Sequence, residues 1–140
     1  AERYYRAQRA IFEHQGDVPR VLYALSAQAN VAAQRGRLAE ARALLDTLES
    51  RAGREHAAAW AASLPLYRGR LALMAGDGAG ARRELLAARA VLDARQALFR
   101  HEVDARLAWA TLLVRDTLEA IRTIERADSS LERFRATLSA

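Results

Sequence analysis

The sequence predicts an all-α fold of about seven helices arranged as antiparallel pairs. Alanine, leucine, arginine and glutamate, which favour helices, are frequent, and hydrophobic residues make up 51% of the 140 residues. Val and Ile never alternate with polar residues over the length of a strand, so no strand is expected. An apolar pattern with helical spacing also recurs along the chain. These observations predict stacked helix hairpins that share one interior.

The recurring pattern is an alanine, an aliphatic residue four positions later, and usually a small or aliphatic residue three positions after that. A spacing of four and then three residues places these side chains on one stripe of a helix. Successive copies lie 34, 40 and 39 residues apart. The copies are Ala7 and Ile11; Ala41, Leu45 and Leu48; Ala81, Leu85 and Ala88; and Ala120, Ile124 and Ala127.

A tight turn precedes each of the last three copies of the pattern. Gly36 and Gly76 suit the left-handed residue that ends a helix, because they carry no Cβ. Asp77 and Asp116 can then accept hydrogen bonds from the first amides of the following helix. Each unit is therefore predicted to consist of a helix, a short turn and a second, antiparallel helix.

The helix boundaries follow from these turns. We predict helices over residues 2–14, 18–34, 38–52, 57–75, 79–94, 98–114 and from 117 onward. Gly16 and Gly53 mark ends of helices between units, and Pro19 suits the first turn of the second helix.

Two boundaries have alternatives. Pro65 inside the fourth helix predicts a kink near Ala61, and the alternative is a new helix with Ser63 as its N-cap. At the C-terminus we expect one long helix, and the alternative is that Ser129 and Glu132 cap a separate helix.

The predicted organisation is one repeat segment over residues 1–140. A partial unit covers 1–16, three units cover approximately 18–53, 57–95 and 98–128, and a C-terminal capping portion covers 129–140. The first unit lacks its first helix, and half a unit cannot bury its own apolar stripe. We therefore expect this chain to be a segment of a larger protein, and exposed half-units at its ends can pair as a homodimer.

With its glycine turns, the alanine five residues later and the aliphatic residues beyond, the chain resembles a tetratricopeptide repeat array. Ala29, Gly69 and Ala108 stand where this family places a small residue in the first helix. The segment from Tyr4 to Phe12, followed by Gly16 and Asp17, is similar to repeats of large multidomain bacterial regulators. The resemblance implies a right-handed α-solenoid that binds proteins and needs no cofactor. The unit spacing of 39 and 40 residues and the missing family proline depart from the pattern.

The resemblance also implies which face binds, since the first helix of each family unit lines the concave side. The implied residues are Tyr23, Ser26, Asn30 and Gln34; Ser63, Leu66, Arg70 and Met74; and Glu102, Ala105, Trp109 and Leu113. This mixture of aromatic, amide and cationic groups suits a groove for a peptide or helix. Packing between units is the alternative role for Tyr23 and Trp109. Binding of a chaperone C-terminus is not expected, because the chain has no lysine and Ser26 stands where the cation is needed.

Catalysis and metal binding are not expected. The chain has no cysteine, and His14, His56 and His101 fall near predicted loops, where solvated histidines are the simplest interpretation. The glycine-rich segment around Gly78 lacks the lysine and hydroxyl residue of a phosphate loop and follows a helix. No serine has a supporting histidine at a helical spacing.

The charge pattern argues against nucleic-acid and membrane partners. The net charge is +5, but 22 arginines are interleaved with 17 acidic residues through every helix. No apolar run reaches the roughly 20 residues that span a bilayer. We therefore expect a cytoplasmic scaffold or signalling module that binds a protein or peptide partner. The alternatives are an intramolecular domain that controls an adjacent catalytic or DNA-binding domain, and a small-molecule sensor with ligand near Trp109.

Overall fold

The computed structural model describes residues 2–60, 63–92 and 97–138, and the side chains of these except 54–59, 97–99 and 137–138. This part of the chain contains seven helices and no strand, which confirms the all-α prediction. The helices are α1 (Glu2–Gln15), α2 (Val18–Gln34), α3 (Leu38–Trp60), α4 (Ser63–Met74), α5 (Gly78–Val91), α6 (Ala97–Leu113) and α7 (Thr117–Leu138).

The helices pack in chain order. Each helix contacts the next one, and α2 also contacts α4, which in turn contacts α6. The even-numbered helices therefore form one layer, whereas the backbones of the odd-numbered helices are not in contact within the described residues. Ion pairs of Arg51 with Glu13 and of Arg6 with Glu40 nevertheless join α3 to α1. One core cluster joins α2, α3 and α4, and a second joins α4, α5 and α6. The three hairpins α2–α3, α4–α5 and α6–α7 are the units of the structure, and α1 precedes them.

Small residues let the two helices of a hairpin approach closely. The repeated alanines Ala41, Ala81 and Ala120 are fully or almost fully buried. In the middle unit, a Cβ atom added to Gly69 would lie 2.6 Å from Cγ of Leu85, closer than two carbon atoms can approach. The side chain of Leu85 therefore occupies the space that any larger residue at position 69 would need.

Four turns in the chain share one hydrogen-bond geometry. The amides of Asp17, Arg37, Asp77 and Asp116 each donate to the carbonyl five residues earlier, which closes the preceding helix. Asp17, Asp77 and Asp116 then accept a hydrogen bond from the amide three residues later and cap the next helix. The predicted caps at Asp77 and Asp116 are confirmed.

The left-handed residue in these turns is glycine three times and Arg115 once. Gly16, Gly36 and Gly76 have φ between 68° and 75°, and Arg115 has φ of 63°. A side chain in this conformation brings its Cβ close to a carbonyl oxygen, at a cost of roughly 1–2 kcal/mol. The last turn therefore keeps the shared geometry at the expense of backbone strain.

Other helix bounds test the sequence alternatives. Gly53, with φ of 57° and ψ of 179°, interrupts α3 where a helix end was predicted. The described α4 begins at Ser63, which places Pro65 in its first turn, whereas the kink predicted near Ala61 lies outside the described residues. The predicted single long helix at the C-terminus is confirmed: Ser129 Oγ donates to the carbonyl of Glu125 within α7 instead of capping a new helix.

An ion cluster attaches α1 to the turn between α2 and α3. The Glu2 carboxylate pairs with Arg6, Arg35 and Arg37, and Arg37 Nη2 lies 2.6 Å from Glu2 Oε2. The hydrogen bond from Arg37 lowers the pKa of Glu2, against a smaller opposing effect of desolvation. Because α1 has no fully buried residue, its attachment relies strongly on such polar contacts.

We predict that Arg115→Gly stabilises the protein. Relief of the left-handed strain is expected to outweigh the greater freedom of glycine in the unfolded chain, for a net gain of about 0.5–1 kcal/mol. Urea denaturation of both proteins measures the difference. Gly76→Ala is the matched control at the equivalent turn, where a Cβ has nothing within 4 Å, and it should destabilise by about 1 kcal/mol. Equal or lower stability of Arg115→Gly would contradict the strain argument.

We also predict an acid-sensitive attachment of α1. The pKa of Glu2 is lower in the folded protein than its ordinary value of 4.5, so its stabilising contribution is complete above that value. It is lost as the pH falls below 4.5 through the folded pKa. The thermal midpoint of the wild type should therefore fall more steeply below pH 4.5 than that of Glu2→Gln. Parallel curves for the two proteins would show that the cluster contributes nothing in this pH range.

Candidate functional site

A large groove lies between α4 and α6, on the layer of even-numbered helices. Its volume is about 590 Å³. We call it the α4–α6 groove, and its lining residues are Arg70, Leu73, Met74, His101, Glu102, Ala105, Arg106 and Trp109. Five of them belong to the predicted concave face: Arg70, Met74, Glu102, Ala105 and Trp109.

The groove combines a flat aromatic surface with flexible apolar groups. Trp109 is 63% exposed and Met74 is half exposed, although both are large hydrophobic residues. Large apolar side chains in such positions are not explained by packing within the described chain. Exposed aromatic and methionine side chains of this kind are common where a protein contacts a ligand or a partner.

The predicted residues of α2 continue the same layer. Tyr23 is 61% exposed, Gln34 is exposed at the end of α2, and Asn30 is partly exposed beside α4. A smaller cleft between α2 and α4, lined by Asn30, Tyr67, Arg70 and Met74 among others, meets the α4–α6 groove at the last two of these residues. Ser63 is partly exposed at the start of α4, and Leu113 is exposed at the end of α6.

Two residues of the predicted face lie in the core, which corrects the prediction that they line the groove. Ser26 is 3% exposed and its hydroxyl donates to the carbonyl of Tyr23, and Leu66 is 4% exposed within the second core cluster. Ala105, at the equivalent position of the last unit, is exposed. The physical reason for Leu66 is that α6 packs against α4 at this position, so the following unit covers it.

Arg70 has an unusual electrostatic environment. Its guanidinium is partly buried, and Nη2 donates to Oδ1 of Asn30 at 3.2 Å. Within the described residues Arg70 forms no ion pair with a carboxylate, although sixteen such pairs occur elsewhere in that part of the chain. The Asn30 amide thus holds the cation between the two clefts, and its charge can attract an anionic group there.

On the α6 wall of the groove, the charged side chains pair with each other. Arg106 donates through Nε and Nη2 to Oε1 of Glu102, at 3.1 and 3.0 Å, so neither charge is free. His101 Nδ1 lies 3.0 Å from the carbonyl oxygen of Ala127 on α7. The ring therefore ties α6 to α7 and forms one end of the groove.

Sequence reasoning missed Leu73, His101 and Arg106 as lining residues. His101 lies inside α6, with its ring partly buried, and is not a solvated loop histidine. The repeat pattern offered a signal for His101, because the equivalent residue of the second unit is the apolar Leu22. Leu22 is fully buried in the structure. His14 is exposed as expected, and the side chain of His56 lies outside the described residues.

The described residues include neither a metal-binding cluster nor a membrane-spanning helix. No group of three or more histidine, cysteine, aspartate or glutamate residues there is arranged to hold a metal ion. In the same part of the chain, every helix is too short or too polar to cross a lipid bilayer.

Comparison of the chain with protein-family models, with curated proteins and with solved structures gave no match.

We predict that Leu66 and Met74, which the sequence placed on one face, differ in their effect on stability. Leu66→Ala should destabilise the protein by about 2–5 kcal/mol, because it leaves a cavity in the second core cluster. Met74→Ala should cost less than about 1 kcal/mol, because the side chain is half exposed. Urea denaturation of the two single variants provides the comparison, and similar losses for both would contradict the burial assigned to Leu66.

Proposed function

We propose that this chain is a tetratricopeptide-type array that binds a segment of a partner protein along its even-numbered helices. The α4–α6 groove is the main binding surface, and the cleft between α2 and α4 extends it. The observation that carries this proposal is the high exposure of Trp109 beside Met74 in the α4–α6 groove. Burial of Trp109 under a ligand would remove a large apolar area from water.

The dimensions and chemistry of the surface favour a peptide. The groove is open along one side, so an extended or helical segment can lie in it. The cleft between α2 and α4 has a volume of only about 20 Å³ and can take no more than one small group of such a segment. Apolar side chains of the segment would pack on Trp109 and Met74. Arg70 and Asn30, at the junction of the clefts, would bind polar groups of the ligand.

Tryptophan and arginine are the residue types that most often dominate binding energy at interfaces. Here they lie on neighbouring helices and face one groove. We therefore assign most of the affinity to Trp109 and Arg70, and a supporting role to Tyr23, Asn30 and Glu102.

Selection of displayed peptides on the immobilised chain tests this function. Enriched peptides, made synthetically, should bind with affinity that falls at least about thirtyfold in Trp109→Ala, as expected when a central aromatic residue is truncated. In a Trp60→Phe background, binding should also shift the fluorescence emission of Trp109 to shorter wavelength.

Arg83→Ala is the matched control for an Arg70→Ala variant. Both remove one arginine, but Arg83 lies on α5 with a side chain that is 76% exposed outside the groove. Arg70→Ala should lower the affinity for the selected peptides about tenfold, and Arg83→Ala should leave that affinity unchanged. Equal binding by the wild type and by a folded Trp109→Ala, Arg70→Ala double variant would refute the groove as the binding surface.

A further inference from the structure

The last unit exposes a face that the two preceding units bury. Leu45 in α3 is 2% exposed and Leu85 in α5 is fully buried, whereas Ile124, the same residue of the repeat in α7, is 51% exposed. Ala33 is buried and Leu73 is packed on the second core cluster, but the equivalent Leu112 is 48% exposed. Ser26, Leu66 and Ala105 follow the same trend.

The covering element in the earlier units is the next even-numbered helix. Leu45 packs in the first core cluster with Leu71 of α4, and Leu85 packs in the second with Val103 and Leu107 of α6. No described helix packs on the corresponding side of α7, which contacts only α6. We call this surface the α7 end face, and its residues are Ala105, Leu112, Ile121, Ile124, Glu125 and Asp128.

An ion pair accompanies the apolar contact at each internal junction. Arg68 of α4 binds Glu49 of α3, with Nη2 2.7 Å from Oε2, and also Asp46, at 3.2 Å. At the next junction Arg89 of α5 pairs with Asp104 of α6 at 3.1 Å. Glu49 and Arg89 occupy the same repeat position, so α3 and α5 each present a charge there to the helix that follows.

The α7 end face reproduces the acidic pair of α3. By repeat position, Glu125 corresponds to Asp46 and Asp128 corresponds to Glu49. Both side chains are exposed, and neither has an ion-pair partner within the described residues. An apolar stripe centred on Ile124 thus lies beside two carboxylates that have no cationic partner within the described residues. The surface of α3 would have the same arrangement if α4 were removed.

We propose that the α7 end face binds an amphipathic helix of another protein that carries one arginine beside an aliphatic stripe. The geometry of α4 on α3 specifies the pattern: Leu64, Tyr67 and Leu71 point to the core cluster, and Arg68 reaches the carboxylates. The occupant therefore needs apolar residues at relative positions one, four and eight, with arginine at position five. This site shares only Ala105 with the lining of the α4–α6 groove, and the proposal does not depend on the function proposed for that groove.

The probe for this site is a fluorescein-labelled peptide with the sequence of residues 63–75. A hydrocarbon staple replaces the side chains at positions 70 and 74, which face the groove in α4, because a free helix of this length is unstable in water. Its fluorescence anisotropy is measured against the whole chain. The wild type should bind it, and Ile124→Asp should weaken binding more than about tenfold, because the new charge would be buried without a partner.

Charge reversal tests the predicted pairing. The double variant Glu125→Arg, Asp128→Arg should bind the probe with affinity lower by about threefold or more. A probe that carries Arg68→Glu should regain affinity for this double variant. Trp109→Ala is the matched control in the other site and should leave probe binding unchanged. Circular dichroism confirms that each variant is folded, and exposed positions make loss of the fold unexpected.

Three results would overturn the proposal. The first is absence of probe binding to the wild type, and the second is binding that Ile124→Asp and the charge reversals do not change. The third is sedimentation of the wild type as a dimer that Ile124→Asp dissociates, which would make a second copy of the chain the occupant.

Discussion

Close contact between a small residue and an aliphatic side chain is the constraint on which the rest of this structure depends. The contact of Gly69 with Leu85 leaves no room for even one methyl group. In the second helix of each hairpin, the repeated alanine is also buried: Ala41, Ala81 and Ala120. Small residues bury little area themselves, so their contribution is to bring the helix axes close and let neighbouring leucines pack. The three-residue turns then hold the two helices of each hairpin antiparallel, and successive hairpins bring α2, α4 and α6 into one layer. The groove exists because that layer is lined by residues that no odd-numbered helix covers.

Much of this architecture could be predicted, because its determinants are local in sequence. A glycine followed by an aspartate specifies where one helix ends and the next begins, and Gly76 and Asp77 do so in the structure. The stripe of Ala81, Leu85 and Ala88 specifies which side of α5 is buried, and all three are fully buried. The last turn was also found by its spacing, although Arg115 replaces glycine there. Its strain could not be predicted, since only the backbone of the folded chain shows the left-handed conformation.

The lining of the groove was less predictable, because it depends on contacts between units. The sequence places Ser26 and Leu66 on the same face as Asn30 and Met74, but it does not state how far the next helix overlaps that face. Burial of Leu66 by α6 decides the question, and that contact joins residues about forty positions apart. His101 shows the same limit: its hydrogen bond to Ala127 comes from the packing of α6 on α7. Arg70 and Trp109 line the groove because the neighbouring helices leave their side chains partly or largely exposed, although Arg70 also donates a hydrogen bond to Asn30 of the preceding unit.

The alternation of charge at the internal junctions has a consequence for the order of the hairpins. Glu49 meets a cation from the following helix, whereas Arg89, at the same repeat position, meets the almost completely buried carboxylate of Asp104. Joining the first hairpin directly to the last would place Glu49 against Asp104, two negative charges in a poorly solvated contact. The hairpins share one backbone plan but are not interchangeable modules. The charges at each junction match those of its own neighbour, so exchanging hairpins would bring like charges together.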